Sequence, residues 1–224
     1  MNILHFSYTE AELDHLKKKD KKLAAAIGEI GALTGWHVEP DIFSALVHHI
    51  AGQQISTQAQ RTVWGRISAG IKEVTPENVR SAGVEKMQSF GISFRKAEYI
   101  TGLAQKTASG EFDPTALWEM DDEDVIKELC ALRGIGRWTA EMLLIFSMQR
   151  RDVLSFGDFG IRRGLRMLYR HKEITPELFE RYRKRYSPCG SLASLYLWEI
   201  AGGAIPGMTD RAPKTAGKKG AAAR

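Results

Sequence analysis

Between two predicted helices lies LRGIGRWTA, residues 132–140, in which Gly134 and Gly136 stand two positions apart. Apolar residues spaced three and four apart predict one helix before this junction and another after it, running through Met148. Glycine lets a chain turn tightly and lets a phosphate approach bare backbone, and the first-turn N–H groups of the second helix point outward at its positive dipole end. The local pattern fits a sequence-independent phosphate grip, although a simple helix C-cap and turn is the more common use of such a pattern.

Helix signals also dominate the rest of the chain. Thr9 and Glu12 have the spacing of a capping box. Thr75-Pro76-Glu77 and Thr175-Pro176-Glu177 each place a capping hydroxyl before a proline at the first helical position and an acid in the first turn. Because no segment sustains the period-two alternation of a strand, we predict an all-α protein of about nine to eleven helices.

Composition bounds the class of protein. The 224 residues, 43% hydrophobic and 26% charged, suit one compact domain or two closely joined lobes. Two cysteines, Cys130 and Cys189, cannot form a CxxC redox pair or a four-cysteine zinc or iron–sulfur site within one chain. The N-terminus reaches charged residues before any signal-like apolar run, and no stretch approaches the roughly 18 apolar residues of a membrane span. We therefore predict a cytoplasmic protein without a membrane partner.

Charge is unevenly distributed along the chain. The formal net charge is +5, yet residues 110–130 carry a net −7 and residues 160–186 a net +6. Residues 207–224 add a net +4 and contain no large apolar residue beyond Met208. Such a segment cannot bury enough apolar surface to offset the entropy of ordering, so we predict that 207–224 is a disordered basic tail.

Five segments in order resemble the helix-hairpin-helix DNA glycosylase superfamily, and in particular its 3-methyladenine DNA glycosylase II type. LRGIGRWTAEMLLIF resembles the family's hairpin and second helix, and DVLSFGD, ending 22 residues after Gly136, resembles the loop that carries the catalytic aspartate. AGQQISTQA, residues 51–59, resembles the turn that enters the DNA, and residues 91–97 and 186–193 also stand in family order. The resemblance covers roughly residues 10–200.

The family fold implies two helical lobes with a DNA-binding cleft between them. On that basis we predict a glycosylase module over residues 1–206, with one lobe formed by about 45–150 and the other by 1–44 together with 151–206. Other members carry an N-terminal β-sheet domain, and we expect it to be absent here.

By the resemblance, Asp158 is the catalytic carboxylate. Cleavage of an N-glycosidic bond builds positive oxocarbenium character on the sugar, which a buried carboxylate stabilises. Asp158 also suits the N-cap of the following helix, and both roles are compatible. The competing carboxylate, Asp152, starts the loop and is expected to brace it.

Position 138 separates two reaction types within the family. The lyase branch has a lysine here that forms a Schiff base, whereas this chain has Trp138, so we predict a monofunctional enzyme with water as nucleophile. The electron-rich indole would attract a cationic alkylated purine. Phe159 and Tyr186 are the other candidates for the base pocket, although core packing is the more common role of an aromatic residue on an apolar helix face. Four positions depart from the family pattern: Met142, Gly157, Cys189 and Gly190.

The matched turn and hairpin supply the predicted DNA contacts. Gln54 is the wedge that fills the gap left by a flipped nucleotide, and Gln53 caps or braces the turn. A Gln-Gln pair is also compatible with an ordinary solvated helix end. The remaining predicted DNA-binding residues are Ser56, Lys96, Gly134, Gly136, Arg137, Thr139 and Arg162, with Arg163 and Arg166 as further phosphate contacts.

The expected partner is double-stranded DNA with alkylated bases, bound by a monomer that requires no cofactor. Related hairpins bind a structural monovalent cation through carbonyls, which here would belong to Cys130, Leu132 and Ile135. Two alternatives remain at this stage. One is a glycosylase for another lesion, such as uracil, hypoxanthine or an oxidised purine, and the other is a non-catalytic module that binds DNA through the hairpin.

Overall fold

The structure is a computed structural model that describes residues 4–213. Within that range it contains eleven α-helices, one 3₁₀ helix and a two-stranded sheet, which confirms the predicted all-α class. No described helix is long and apolar enough to cross a membrane. The elements in chain order are β1 (Leu4–His5), α1 (Glu10–Lys19), α2 (Lys21–Ile30), β2 (His37–Val38), α3 (Ile42–Gly52), α4 (Thr57–Ile71), α5 (Pro76–Ser89), α6 (Phe94–Ala108), the 3₁₀ helix (Ala116–Glu119), α7 (Asp122–Cys130), α8 (Arg137–Phe146), α9 (Phe159–Tyr169), α10 (Pro176–Tyr186) and α11 (Gly190–Gly202).

Three helix starts follow the capping signals in the sequence. At α1 the Thr9 hydroxyl accepts from the Glu12 N–H, and the Glu12 carboxylate accepts from the Thr9 N–H, forming the predicted capping box. Thr75 and Thr175 cap α5 and α10, each directly before a proline. A capping side chain satisfies first-turn N–H groups that have no partner inside the helix, so these starts are determined locally.

The described chain forms two compact units. The first comprises residues 4–7 and 35–150, and the second comprises residues 8–34 and 151–213. These boundaries differ from the prediction that all of 1–44 joins 151–206. The difference arises because β1 pairs antiparallel with β2, with Leu4 opposite Val38, and because the Glu39 N–H donates to the Phe146 carbonyl oxygen at 2.9 Å. Because of these two contacts, the segments directly before and after residues 8–34 pack in the first unit.

The first unit is built around the face that α6 buries. Ala97, Ile100 and Ala104 on this helix are fully buried, in step with the helical period. The hairpin between α7 and α8 belongs to the same unit, and so does the turn between α3 and α4. Both segments predicted to touch DNA are thus carried by one packed body.

The second unit has its own apolar core, in which α9 packs against α11. Its members include Leu165, Leu197 and Ile200, with α2 adding Leu23. Gly164 permits close packing of the two helices, because a Cβ at this position would overlap the backbone carbonyl of Leu197. This packing fixes the start of α9, where the predicted catalytic aspartate lies.

The described part of the predicted tail, residues 207–213, is attached to α9. Asp210 accepts from the Arg166 guanidinium at 2.6 and 2.7 Å, and its Oδ1 also accepts from the Ala212 N–H at 3.0 Å. The predicted disorder is therefore wrong for residues 207–213. Residues 214–224 lie outside the described part of the chain.

Candidate functional site

Asp158 is held rigidly at the N-terminus of α9. Its Oδ1 accepts from the backbone N–H of Ile161 at 2.7 Å and from the Trp198 indole N–H at 2.9 Å. The residue is 7% exposed. A carboxylate in this position is stabilised by the helix dipole and is fixed in orientation, so it can stabilise positive charge on a bound group without first reorganising. The predicted N-cap role is confirmed by this geometry.

Trp198, in the middle of α11, is a site residue that the sequence did not reveal. It lies 40 positions from Asp158, in a run of apolar residues that is typical of a buried helix face. The one local signal is Gly160, where a Cβ would lie 2.7 Å from the Trp198 ring and 3.2 Å from the Asp158 carboxylate. The missing side chain makes room for the indole beside the aspartate.

The second acidic candidate, Asp152, braces the loop that precedes α9. Its Oδ2 accepts from the Ser187 hydroxyl at 2.5 Å, and its Oδ1 accepts from the Gly190 N–H at 3.0 Å. A Cβ at position 190 would lie 2.9 Å from that Oδ1, which gives a structural reason for the glycine found there. Both oxygens of Asp152 therefore serve the loop, in the way that the sequence predicts.

The three predicted pocket aromatics differ in accessibility. Tyr186 is fully buried in the core of the second unit, and its hydroxyl is 2.6 Å from that of Tyr169. It is a core residue in this structure, so its prediction as a pocket wall is corrected. Phe159 is 64% exposed next to Asp158, and Trp138, in the first unit, is 44% exposed in the first turn of α8. These two side chains remain candidates for contact with a base.

The hairpin between α7 and α8 has the geometry that its two glycines predict. Gly134 has a φ of +87°, and a Cβ there would overlap the ring of Tyr99. Gly136 is the N-cap of α8 and has no side-chain cap. The first turn of α8 therefore presents its backbone N–H groups at the positive end of the helix dipole, as an anion site requires.

The turn between α3 and α4 places Gln54 at an exposed apex. Gln54 has a φ of +57°, an uncommon conformation for a residue other than glycine. Gln53, one residue earlier, uses its side-chain Nε2 to donate to the Gly134 carbonyl oxygen at 2.7 Å, so it braces the turn against the hairpin. Ser56 caps α4 by accepting from the Ala59 N–H at 3.2 Å. The structure thus brings the turn and the hairpin together.

Two basic residues predicted to bind phosphate are engaged inside the first unit. The Lys96 Nζ donates to the carbonyl oxygens of Ala51 at 3.0 Å and Gln53 at 2.6 Å. Arg137 pairs with Glu123 at 2.7 Å and with Glu141 at 3.0 Å, and these carboxylates raise the pKa of its guanidinium above the usual value. The charge of Lys96 faces backbone carbonyls, which corrects its assignment as a simple phosphate contact. The Arg137 side chain is 58% exposed beside its carboxylates and stays a predicted phosphate contact.

The predicted phosphate contacts on α9 differ in how closely a protein group engages them. Arg166 forms a short ion pair with Asp210, and Arg163 lies 3.9 Å from the same carboxylate. Arg162 stacks its guanidinium over the ring of Phe156 at 5.3 Å, and its buried Nε has no hydrogen-bond partner among the described residues. Arg162 and Arg163, neither of which forms a short ion pair among the described residues, therefore stay predicted DNA contacts on this helix.

Thr139 and the predicted cation ligands fit their predicted roles only in part. The Thr139 side chain is buried, so only its backbone N–H could take part in an anion site. Of the three carbonyls predicted to hold a monovalent cation, that of Leu132 accepts from the Ile135 N–H at 3.2 Å within the hairpin turn. Within residues 4–213 no cluster of three or more His, Cys, Asp or Glu side chains is placed to hold a metal ion.

Three features of this chain together define one class of proteins: the hairpin between α7 and α8, the turn braced by Gln53, and the aspartate at the N-cap of α9. The chain belongs to the HhH-GPD superfamily of base excision DNA repair proteins, whose profile matches residues 47–189. It is 32% identical to "DNA-3-methyladenine glycosylase 1" of Schizosaccharomyces pombe over 203 residues, which cover 87% of this chain and 88% of that protein.

Two solved structures are also similar to this one. The crystal structure of a DNA-3-methyladenine glycosidase from Bacillus halodurans shares 34% identity with a TM-score of 0.76, covering 91% of this chain and 94% of that chain. The Schizosaccharomyces pombe 3-methyladenine DNA glycosylase Mag1, in complex with abasic DNA, shares 29% identity with a TM-score of 0.73, covering 84% and 95%.

Proposed function

We propose that this protein is a base excision repair DNA glycosylase that hydrolyses the N-glycosidic bond of alkylated purines, of the 3-methyladenine and 7-methylguanine type, in double-stranded DNA. The observation that carries the proposal is the buried Asp158 carboxylate, fixed by Ile161 and Trp198 in a chain that also has the superfamily's hairpin. The names of the relatives supply the substrate class.

The chemistry follows from the positive charge that develops on the sugar. A glycosylase must first flip the damaged nucleotide out of the duplex, since the bond to be cut is not accessible within the base stack. As the bond between base and C1′ breaks, its electron pair leaves with the base and the deoxyribose becomes oxocarbenium-like. Asp158 stabilises that charge, water adds to C1′, and the water's proton is released, leaving an abasic site.

Trp138 supports a monofunctional reaction with a cationic substrate. An indole has no amine that could attack C1′, so no Schiff base forms at this position and the strand stays intact. Alkylation at N3 or N7 places positive charge on the purine, and the face of an indole attracts such a charge by about 0.5–2 kcal/mol. The Trp138 side chain is 44% exposed in the first turn of α8.

The remaining proposals concern the setting of the reaction. The protein acts as a monomer on chromosomal DNA in the cytoplasm and needs no cofactor for hydrolysis, because the carboxylate and water suffice. The carbonyls of Cys130, Leu132 and Ile135 are the proposed ligands of a structural monovalent cation, which would support the hairpin and take no part in bond cleavage.

Release of free base is the direct test. Duplexes carrying 3-methyladenine, 7-methylguanine, hypoxanthine or uracil are incubated with the wild type and with Asp158→Asn, which keeps the size of the side chain and removes its charge. We expect the wild type to release the two alkylated purines, and the variant to be slower by roughly 10²–10³-fold.

Each other outcome has a defined meaning. Release of hypoxanthine or uracil alone would identify a glycosylase for a different lesion, and binding without any release would identify a DNA-binding module. Equal release by Asp158→Asn would remove that residue from the chemistry. Strand nicking without added alkali would contradict the monofunctional mechanism.

A further inference from the structure

One face of α6 supports both DNA-contacting segments of the first unit. Lys96 and Tyr99 are three positions apart on this helix and therefore share a face. Lys96 contacts the turn that carries Gln54, and Tyr99 packs against Gly134 in the hairpin. A single helix thus lies behind the proposed wedge and behind the proposed phosphate grip.

Lys96 holds the turn through two backbone carbonyls. The oxygens of Ala51 and Gln53 lie at the C-terminal end of α3, where carbonyl groups have no partner within the helix. The Lys96 Nζ approaches them to 3.0 and 2.6 Å. An ammonium group here also complements the negative end of the helix dipole. These two bonds fix the backbone on either side of Gly52 and immediately before Gln54.

Gln53 connects the turn to the hairpin. Its backbone carbonyl accepts from Lys96, while its side-chain amide donates to the carbonyl of Gly134 at 2.7 Å. Gly134 in turn rests on the Tyr99 ring so closely that no Cβ fits there. A continuous chain of contacts therefore leads from α6 through the wedge turn to the hairpin and back to α6.

We propose that Lys96 is a positioning residue that sets the wedge Gln54 relative to the hairpin, and that Gln53 transmits this setting. The inference rests on the proposed function, in which Gln54 enters the gap left by a flipped nucleotide. Gln54 adopts a positive φ, so its backbone needs external support to stay in that conformation. Lys96 supplies this support without touching the DNA.

The surroundings of Lys96 agree with a structural use of its charge. Burial lowers the pKa of its ammonium group below the usual value, as expected for a lysine turned toward the protein. Its hydrogen-bond partners are both backbone oxygens of the wedge turn. A guanidinium at position 96 could donate to the same two oxygens, whereas a thioether of similar length could donate to neither.

Wedge insertion can be measured separately from catalysis. The probe is a duplex with a tetrahydrofuran abasic-site analogue opposite 2-aminopurine, whose fluorescence changes when a side chain enters the gap. The variants are Lys96→Met, Lys96→Arg, Gln53→Met, Gln54→Ala and the double variant Lys96→Met with Gln54→Ala. Lys106→Met is the matched control, since it makes the same change on the same helix at a residue paired with Glu111.

We expect the wild type, Lys96→Arg and Lys106→Met to give the full fluorescence change. Lys96→Met should reduce the change to the level of Gln54→Ala, and affinity for the probe duplex should fall by the same factor as in Gln54→Ala, because Lys96 acts on the DNA only through the wedge. The double variant should lose no more than Gln54→Ala alone, because both substitutions disable the same wedge. Gln53→Met should show a partial loss.

Several results would overturn the inference. These are a full fluorescence change with Lys96→Met, additive losses in the double variant, or a wild-type signal that does not depend on Gln54. If Lys96→Met fails to fold, the inference is tested with Lys96→Arg and Gln53→Met instead. A full fluorescence change with Gln53→Met would then refute the coupling between the turn and the hairpin. Absence of base release from every lesion, with Lys96 and Gln54 still coupled on the probe, would refute the proposed function and leave this inference standing.

Discussion

Gly134→Ala should destabilise the first unit strongly, although it adds only one methyl group. The residue has a φ of +87°, and a non-glycine residue in the left-handed region costs about 1–2 kcal/mol. The new Cβ would also overlap the Tyr99 ring, and overpacking of a filled site adds about 1–3 kcal/mol. The expected loss is therefore about 2–5 kcal/mol, a large share of the roughly 5–15 kcal/mol that stabilises a typical domain.

Gly136→Ala provides a matched control two residues away. Gly136 has a φ of −107°, which any residue can adopt, and a Cβ there meets nothing within 4 Å. We expect this variant to lose no more than about 1 kcal/mol, the usual difference between glycine and alanine at an N-cap. Its methyl group would instead stand where a phosphate approaches, so affinity for DNA should fall while stability is preserved.

The assay is urea and thermal unfolding followed by tryptophan fluorescence. Four of the five tryptophans lie in the first unit, so the signal reports mainly on the body that contains the hairpin. For a chain of this length, 2–5 kcal/mol corresponds to a fall in Tm of about 4–20 °C. A change in Tm below 2 °C for Gly134→Ala, or equal losses for the two variants, would refute the assignment of these distinct roles to the two glycines.

Two further predictions concern the second unit. Trp198→Phe removes the indole donor to Asp158 and should slow base release by roughly 10-fold while leaving DNA affinity unchanged, since one charge-assisted hydrogen bond to the carboxylate is lost; an unaltered single-turnover rate would show that the indole does not orient the aspartate. Asp210→Asn should lower the Tm, because it removes the ion pair with Arg166, which holds the pKa of the Asp210 carboxyl below its ordinary value of 3.8. A lowered pKa contributes stability above that value, so the difference between wild type and variant should be constant at neutral pH and shrink below about pH 4; a difference that persists at pH 2 would contradict the ion-pair explanation.

Features set by neighbouring residues could be predicted from the sequence. The capping box at Thr9, the proline-supported starts of α5 and α10 and the N-cap role of Asp158 each depend on atoms within about one helical turn. The hairpin glycines follow the same rule, because their use depends on local φ and on close backbone approach. The roles predicted for the aspartate and for the two segments expected to touch DNA came instead from the resemblance to the family, because these local signals specify backbone geometry and not chemistry.

Partners distant in the sequence could not be predicted. The bond between Gln53 and Lys96 spans 43 positions, the ion pair between Arg166 and Asp210 spans 44, and the bond between Asp158 and Trp198 spans 40. Each depends on how distant segments of the chain pack, which residue type and spacing alone do not specify. For this reason the sequence identified the basic side chains but not the protein groups that engage them.

The distribution of charge illustrates the same limit and changes how DNA binding should be explained. Of the basic residues first assigned to phosphate, Lys96 faces carbonyls, while Arg137 and Arg166 face carboxylates. The number of basic residues in a segment therefore does not tell how many of them are engaged by protein groups. Among the described residues, the predicted contacts without a short ion pair are Arg162 and Arg163, and the exposed Gln54 and the backbone N–H groups at the start of α8 also stay candidates. Backbone dipoles in a fixed turn bind phosphate regardless of base sequence, and that property suits an enzyme that must search undamaged DNA before it meets a lesion.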